Sequence, residues 1–198
     1  MRGTREAAGT AESSGIPPSA RAVRDVVNTF EPQVSRELWT DPAAAARWLA
    51  DHGLLGPGAS LDDEDLAVLL EVREGLRELL RAHTGEAVEA GVVERLDSVL
   101  ARLPLRVAFD AAAEPALVAL SHEGSAPAVA ALLDAVYQCV SDGTWNRLKV
   151  CARHSCRWVF YDTSRNRSGR WCSMSGCGNQ VKMRRAYAAR KERTAKRT

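Results

Sequence analysis

Five cysteines occur in this chain, and four of them fall in a symmetric array near its end: Cys151-x4-Cys156, fifteen residues, then Cys172-x4-Cys177. A thiolate is a soft, strong ligand for Zn²⁺, and a structural zinc site closes its shell with four ligands. Two close pairs separated by such a gap suit one tetrahedral ion, each pair forming a knuckle and the chain between them folding back. Other uses of four cysteines are core packing, two disulfides and an iron–sulfur cluster. Clustering argues against the first and a reducing setting against the second; a cluster would draw on the same four thiolates. One structural Zn²⁺ is the expected cofactor. His154 lies inside the first knuckle and is expected to be an exposed loop residue. Cys139 falls on the apolar face of a helix, as a small core residue would.

A basic segment follows the array directly. Asn179, Gln180, Lys182, Arg184 and Arg185 lie at the start of a helix expected to run from Gly178 to about Arg193. Lys182, Arg185, Arg193 and Lys196 share one face if the helix persists. The loop between the pairs carries Arg165, Asn166, Arg167 and Arg170, groups suited to phosphates or base edges. Asp162 is expected to cap that loop internally. Val181 and Ala188 are available to pack on the zinc module. Trp158, Tyr161 and Trp171 are available to stack on unpaired bases, although a module this small needs them for its own core.

The charge is polarised along the chain. Residues 1–146 carry 12 Lys and Arg against 23 Asp and Glu, and residues 147–198 carry 15 against 2, so a body of −11 precedes a tail of +13. The tail is built to meet a polyanion and the body is not. DNA is the expected partner and RNA the alternative. The body is then free for sensing a small-molecule ligand or for oligomerisation, a homodimer included. Asn28, Trp39, Trp48, His52, His83 and His122 are its polar and aromatic groups. No spacing among them makes a metal triad or a nucleophile–base pair, so the chain is not expected to be an enzyme. The chain has no run of about 18 apolar residues, so no membrane span is expected. The polar N-terminus lacks the apolar core of a secretory signal, which points to the cytoplasm.

The elements that position these groups are mostly helices. Residues 1–19 have little to bury and are expected to be disordered. Val23, Val26, Val27 and Phe30 mark a helix over 21–30. Asp41 caps a second helix with Pro42 at its first position, ending near Gly53. A third begins with a Ser60–Asp63 capping box and carries a leucine stripe to Thr84-Gly85. A fourth is expected over 86–102. Residues 105–109 and 116–120 form a hairpin, and Ser125 caps a helix over 125–140. The expected fold is mainly α with a small β-hairpin (α+β): a disordered lead (1–19), a helical domain (20–145), and a four-cysteine finger with a basic helix (146–198).

Cys151-x4-Cys156-Arg157-Trp158-Val159-Phe160-Tyr161-Asp162-Thr163-Ser164-Arg165-Asn166, then Arg170-Trp171-Cys172-Ser173-Met174 and Cys177-Gly178-Asn179, resembles the CGNR zinc finger. Gln180 stands where the signature has arginine. In the body, Val27-Asn28-Thr29-Phe30, Trp39-x8-Trp48-Leu49 and Glu71-Val72-Arg73-Glu74-Gly75-Leu76-Arg77 resemble the ABATE domain that usually precedes this finger. The combination is described for stress-induced transcription regulators of bacteria. The resemblance therefore implies zinc-dependent DNA binding.

Overall fold

The structure is a computed structural model that describes residues 15–195; the side chains of Arg185, Lys191, Glu192, Thr194 and Ala195 lie outside the described residues. Helix α1 spans Pro18–Val27 and starts on the rigid Pro17-Pro18 pair. Residues 15–19, expected to belong to a disordered lead, are ordered. Ile16 is buried against the core and Ser19 lies within the helix, because the amphipathic stripe of α1 extends one turn further back than its valines suggest. The rest of that lead, residues 1–14, lies outside the described residues.

Strands β1 (Phe30–Glu31) and β2 (Arg36–Glu37) form a minimal antiparallel ladder. Helix α2 (Pro42–Asp51) has Asp41 as its cap, the carboxylate accepting from the Ala44 amide at 2.7 Å. Helix α3 (Asp63–Arg81) is the longest in the body. Its capping box is Asp62 with Asp65, not Ser60 with Asp63: each carboxylate accepts from the other residue's amide, at 2.9 and 3.1 Å. Asp65 also accepts from the Ser125 amide at 2.7 Å, a tertiary bond that fixes the helix start. Gly85, at φ +82°, ends the short 3-10 turn Ala82–Thr84 in the left-handed region.

Helix α4 (Ala90–Leu100) begins four residues later than its apolar spacing suggests and buries Leu96 and Val99 against α3. Strands β3 (Leu105–Phe109) and β4 (Pro115–Ala119) form the expected hairpin, which lies on helix α5 (Ala126–Ser141). Ser125 precedes α5, yet its side chain makes no capping bond. A 3-10 turn (Trp145–Arg147) leads into β5 (Leu148–Val150), paired antiparallel with β6 (Val159–Tyr161). A single π-helical turn (Met174–Gly178) then opens the basic helix α6 (Asn179–Ala195).

The core is assembled from α1, α3 and α5, with Val23, Val27, Leu76, Leu80 and Val129 among its most buried members. Leu148, Val150 and Val159 from β5 and β6 belong to the same cluster. Apolar packing therefore continues across the point where the charge changes sign. A tail that looks separate by charge is joined to the body by its hydrophobic side.

Candidate metal centre and its basic surround

The first knuckle grows out of the β5–β6 ladder. The Cys151 amide donates to the Trp158 carbonyl at 2.9 Å and the Cys156 amide to the Arg153 carbonyl at 2.8 Å. Arg157 closes this turn at φ +50°. The second knuckle is the π-helical turn: Ser173 caps it, accepting from the Gly176 amide at 3.2 Å, and the Gly178 amide donates to the Ser173 carbonyl at 2.9 Å. A Cβ on Gly178 would lie 2.9 Å from the Met174 sulphur, a contact that this exposed side chain can relieve by turning away. The two knuckles are tied by the Ala152 amide, which donates to the Arg170 carbonyl at 2.8 Å.

The four expected ligands come together. All four sulphurs lie within 4.8 Å of one another. Cys156 and Cys172 are 3.8 Å apart and Cys172 and Cys177 3.7 Å. Zn–S bonds of about 2.3 Å give a regular tetrahedron an edge of about 3.8 Å, so the donor set fits one zinc ion. The same closeness argues against a multi-iron cluster, whose thiolates bind different metal atoms and must stand further apart. Cys151, Cys156 and Cys177 are buried and Cys172 is half-buried; Trp158 and Trp171 pack against the cluster.

Among themselves the sulphurs compete for protons. Hydrogen bonds from Cys156 and then Cys172 hold the Cys151 thiol down at about 3, while the neighbouring Cys151 sulphur, with Cys156 and burial, pushes Cys172 far above the thiol range. Only a cation allows all four to be thiolates together. Arg153 adds charge compensation, its Nη1 lying 3.6 Å from Cys177 Sγ. His154 is exposed, and Cys139 is fully buried in the body core, away from the cluster.

The loop after β6 is shaped from below by a buried ion pair. Lys149 Nζ donates to Asp162 Oδ2 at 2.8 Å, to the Gly169 carbonyl at 3.3 Å, and to the Arg167 carbonyl. Asp162 also accepts from the Ser164 amide at 3.0 Å and the Gly169 amide at 2.7 Å, as its expected role in capping the loop requires. Burial raises the Asp162 carboxyl, but Lys149 and the Ser164 and Gly169 groups outweigh it and hold it at about 2. A Cβ on Gly169 would sit 2.8 Å from the Asp162 carboxyl carbon, so the loop passes too close for any other residue there.

This frame places Arg165, Asn166, Arg167 and Arg170 on the surface; Asn179, Gln180, Lys182 and Arg184 are exposed on the first turns of α6. Arg170 and Arg184, from loop and helix, line one open groove with Arg153 and His154 of the first knuckle. Lys196 and the side chain of Arg185 lie outside the described residues. Val181 is half-buried as expected, whereas Ala188 is exposed because α6 projects beyond the finger after its first two turns.

The residues that seat the finger on the body carry little sequence signal as a site. Asn28 at the end of α1 donates from Nδ2 to the Val159 carbonyl at 2.8 Å and accepts from the Val159 amide at 2.9 Å. Arg77 of α3, almost wholly buried, donates to the Arg157 carbonyl at 3.0 Å and to the Val27 and Phe30 carbonyls, so α1, α3 and the first knuckle meet at one guanidinium. Burial pulls its pKa down, and Glu74, 3.0 Å away, opposes that. Glu78 pairs with Arg157, and His83 Nδ1 lies 2.7 Å from the Leu148 carbonyl. Arg73 forks onto both oxygens of Glu37 at 2.8 Å and fixes β2.

Comparison with known proteins follows the same division. Residues 6–143 match the ABATE family model, "Putative stress-induced transcription regulator", and residues 147–191 match that of the CGNR zinc finger. No curated protein matches the chain significantly. With the ABATE match spanning well over half of its length, and the finger's four cysteines gathered as one donor set, the chain belongs to the ABATE family and carries a C-terminal CGNR zinc finger.

Proposed function

We propose that the chain is a zinc-dependent DNA-binding transcription regulator of the cytoplasm that acts by binding and not by catalysis. In this reading one structural Zn²⁺ on Cys151, Cys156, Cys172 and Cys177 locks the two knuckles, and the ABATE body serves ligand sensing or oligomerisation. The observation that carries the reading is the gathering of free cations at the finger, since the exposed body cations that likewise make no ion pair among the described residues, Arg36, Arg47, Arg95, Arg102 and Arg106, stand in a body with an excess of acidic residues. In the body and the seam, Arg73, Arg77, Arg81, Lys149 and Arg157 are all in ion pairs. Among the described residues, Arg165, Arg167, Arg170, Lys182 and Arg184 make no ion pair and lie exposed around the metal centre. Cations held in one place without internal partners are what a polyphosphate backbone requires.

Duplex DNA is favoured over unpaired RNA because Trp158 and Trp171 are half-buried against the cysteines, and the cavity that Trp158 borders is lined by α1 residues and by none of the exposed finger cations. Anisotropy titrations of the zinc-loaded protein against duplex DNA, structured RNA and single strands test the reading. Arg170→Ala with Arg184→Ala should lower the slope of log K against log salt by about 0.9 for each phosphate that is no longer neutralised. An unchanged slope would remove the groove from the interface, and a preference for RNA would replace DNA as the partner.

A further inference from the structure

The β6 strand presents a second edge position like the one Asn28 occupies, and this one opens into a cavity. In the β5–β6 ladder, the Cys151 amide bonds the Trp158 carbonyl and the Asp162 amide bonds the Arg147 carbonyl. Hydrogen-bonded positions alternate in an antiparallel pair, so Trp158, Phe160 and Asp162 turn their backbone groups towards β5. Val159 and Tyr161 turn theirs to the outer edge. Asn28 takes both groups of Val159 with one carboxamide. The Tyr161 amide and carbonyl, two residues along the same edge, have no hydrogen-bond partner among the described residues.

Tyr161 borders a cavity of about 240 Å³ between α1 and the finger, with Trp158 and Phe160 as aromatic walls. Arg24 and Asp25, on the turn of α1 before Asn28, are at its polar end. Arg24 gives Nε to Asp25 at 2.7 Å, and its two Nη groups have no hydrogen-bond partner among the described residues. Cys172, the half-buried member of the metal cluster, borders the same space.

We propose that this cavity binds a small planar aromatic molecule bearing a primary carboxamide or cyclic amide. Its N–H and C=O would engage the Tyr161 backbone as Asn28 engages Val159, with the ring against the aromatic walls. The geometry selects an amide because one edge offers a donor and an acceptor side by side, which a carboxylate or an ammonium matches only by half. Arg24 and Asp25 are paired with each other, so they leave no net charge there to favour an anion or a cation over a neutral amide. None of the exposed cations Arg165, Arg167, Arg170, Lys182 and Arg184 lines the site, so it stands or falls independently of DNA binding.

The test is a titration of the full-length zinc-loaded protein, ¹⁵N-labelled, with benzamide, benzoate and N,N-dimethylbenzamide. Benzamide should bind saturably and shift the Tyr161 amide resonance, with at least about tenfold weaker binding by each of the other two, because each leaves a backbone group unpaired. Thr163→Trp, a substitution at an exposed residue on the cavity rim, should abolish the shift while zinc content stays at one per chain. Equal binding of all three compounds, tighter binding of benzoate, or no Tyr161 shift up to the solubility limit of benzamide would each overturn the proposal. None of these outcomes bears on the DNA titrations.

Discussion

Asn28 and Val159 are 131 positions apart in the chain and are joined by two hydrogen bonds of 2.8 and 2.9 Å, both buried. One side chain at the end of α1 thus supplies the strand partner that the finger's β6 lacks. Replacing Asn28 with leucine keeps the volume but leaves the Val159 amide and carbonyl buried and unpaired, at about 1–3 kcal/mol each. Chemical denaturation of the zinc-loaded protein should show a loss of about 2–4 kcal/mol. Asn28→Asp should fare no better, because a carboxylate accepts from the amide but repels the carbonyl. A loss below about 1 kcal/mol would mean that the finger is held by its apolar contacts alone.

The shared core makes a second expectation about metal. Leu148, Val150 and Val159 pack with the body's valines and leucines while Cys151 follows Val150 directly. Zinc binding energy therefore stabilises the body as well as the finger. Chelation should lower the thermal midpoint of the whole chain in one transition. Cys156→Ser or Cys177→Ser should do the same and cut bound zinc well below one per chain. Cys139→Ala is the control: it opens a small gap in the core at a cost of about 1 kcal/mol but leaves the metal content unchanged. A body that melts at the same temperature with and without zinc would show the two parts to be energetically separate.

Much of this was legible in the sequence. The cysteine spacing announced the donor set and Asp41-Pro42 a helix start, because each is a local signal. The charge profile misled about integration: it separates a −11 body from a +13 tail, yet three apolar residues of the tail complete the body's core. Asn28, Arg77, Glu78 and Lys149 could not be read as a seam, since their partners lie 131, 80, 79 and 13 residues away. Within Leu148-Lys149-Val150 the alternation would put Lys149 in solvent; the loop from Asp162 to Gly169 covers it instead. The capping box moved from Ser60–Asp63 to Asp62–Asp65 because Asp65 is anchored to Ser125 across the fold, which no local pattern encodes.

His83 gives a pH dependence with a defined sign. Its Nδ1 contacts the Leu148 carbonyl and its ring stands edge-on to Trp145 at 5.3 Å. Burial depresses its pKa below the ordinary 6.5, with Lys149 adding to the effect and the Leu148 bond opposing it. The unfolded chain therefore takes up this proton at a higher pH than the folded one. The stabilisation is complete above about pH 6.5 and is lost as pH falls through the lower folded value. His83→Gln keeps a donor for Leu148 but cannot titrate. Wild type should lose stability relative to this variant as pH is lowered from about 7 to about 5.5, and parallel curves would exclude His83 as the source.

The Lys149–Asp162 pair separates loop shape from loop charge. Asp162→Asn removes the partner of a buried ammonium, which costs about 3–5 kcal/mol when a charge is stranded. It also weakens the bonds that hold Ser164 and Gly169, so Arg165, Arg167 and Arg170 lose their fixed placement although every one of them remains. DNA affinity should then fall with no change in net cation count on the loop surface. Replacing both partners, Lys149→Met with Asp162→Leu, removes the stranded charge and should recover most of the stability, since an apolar pair of similar size is often neutral in place of a buried ion pair. It does not restore acceptors for the Ser164 and Gly169 amides, so affinity should stay low. Recovery of affinity together with stability would show that the loop needs only a folded support beneath it. Recovery of stability alone would show that the Asp162 bonds themselves set the spacing of the arginines.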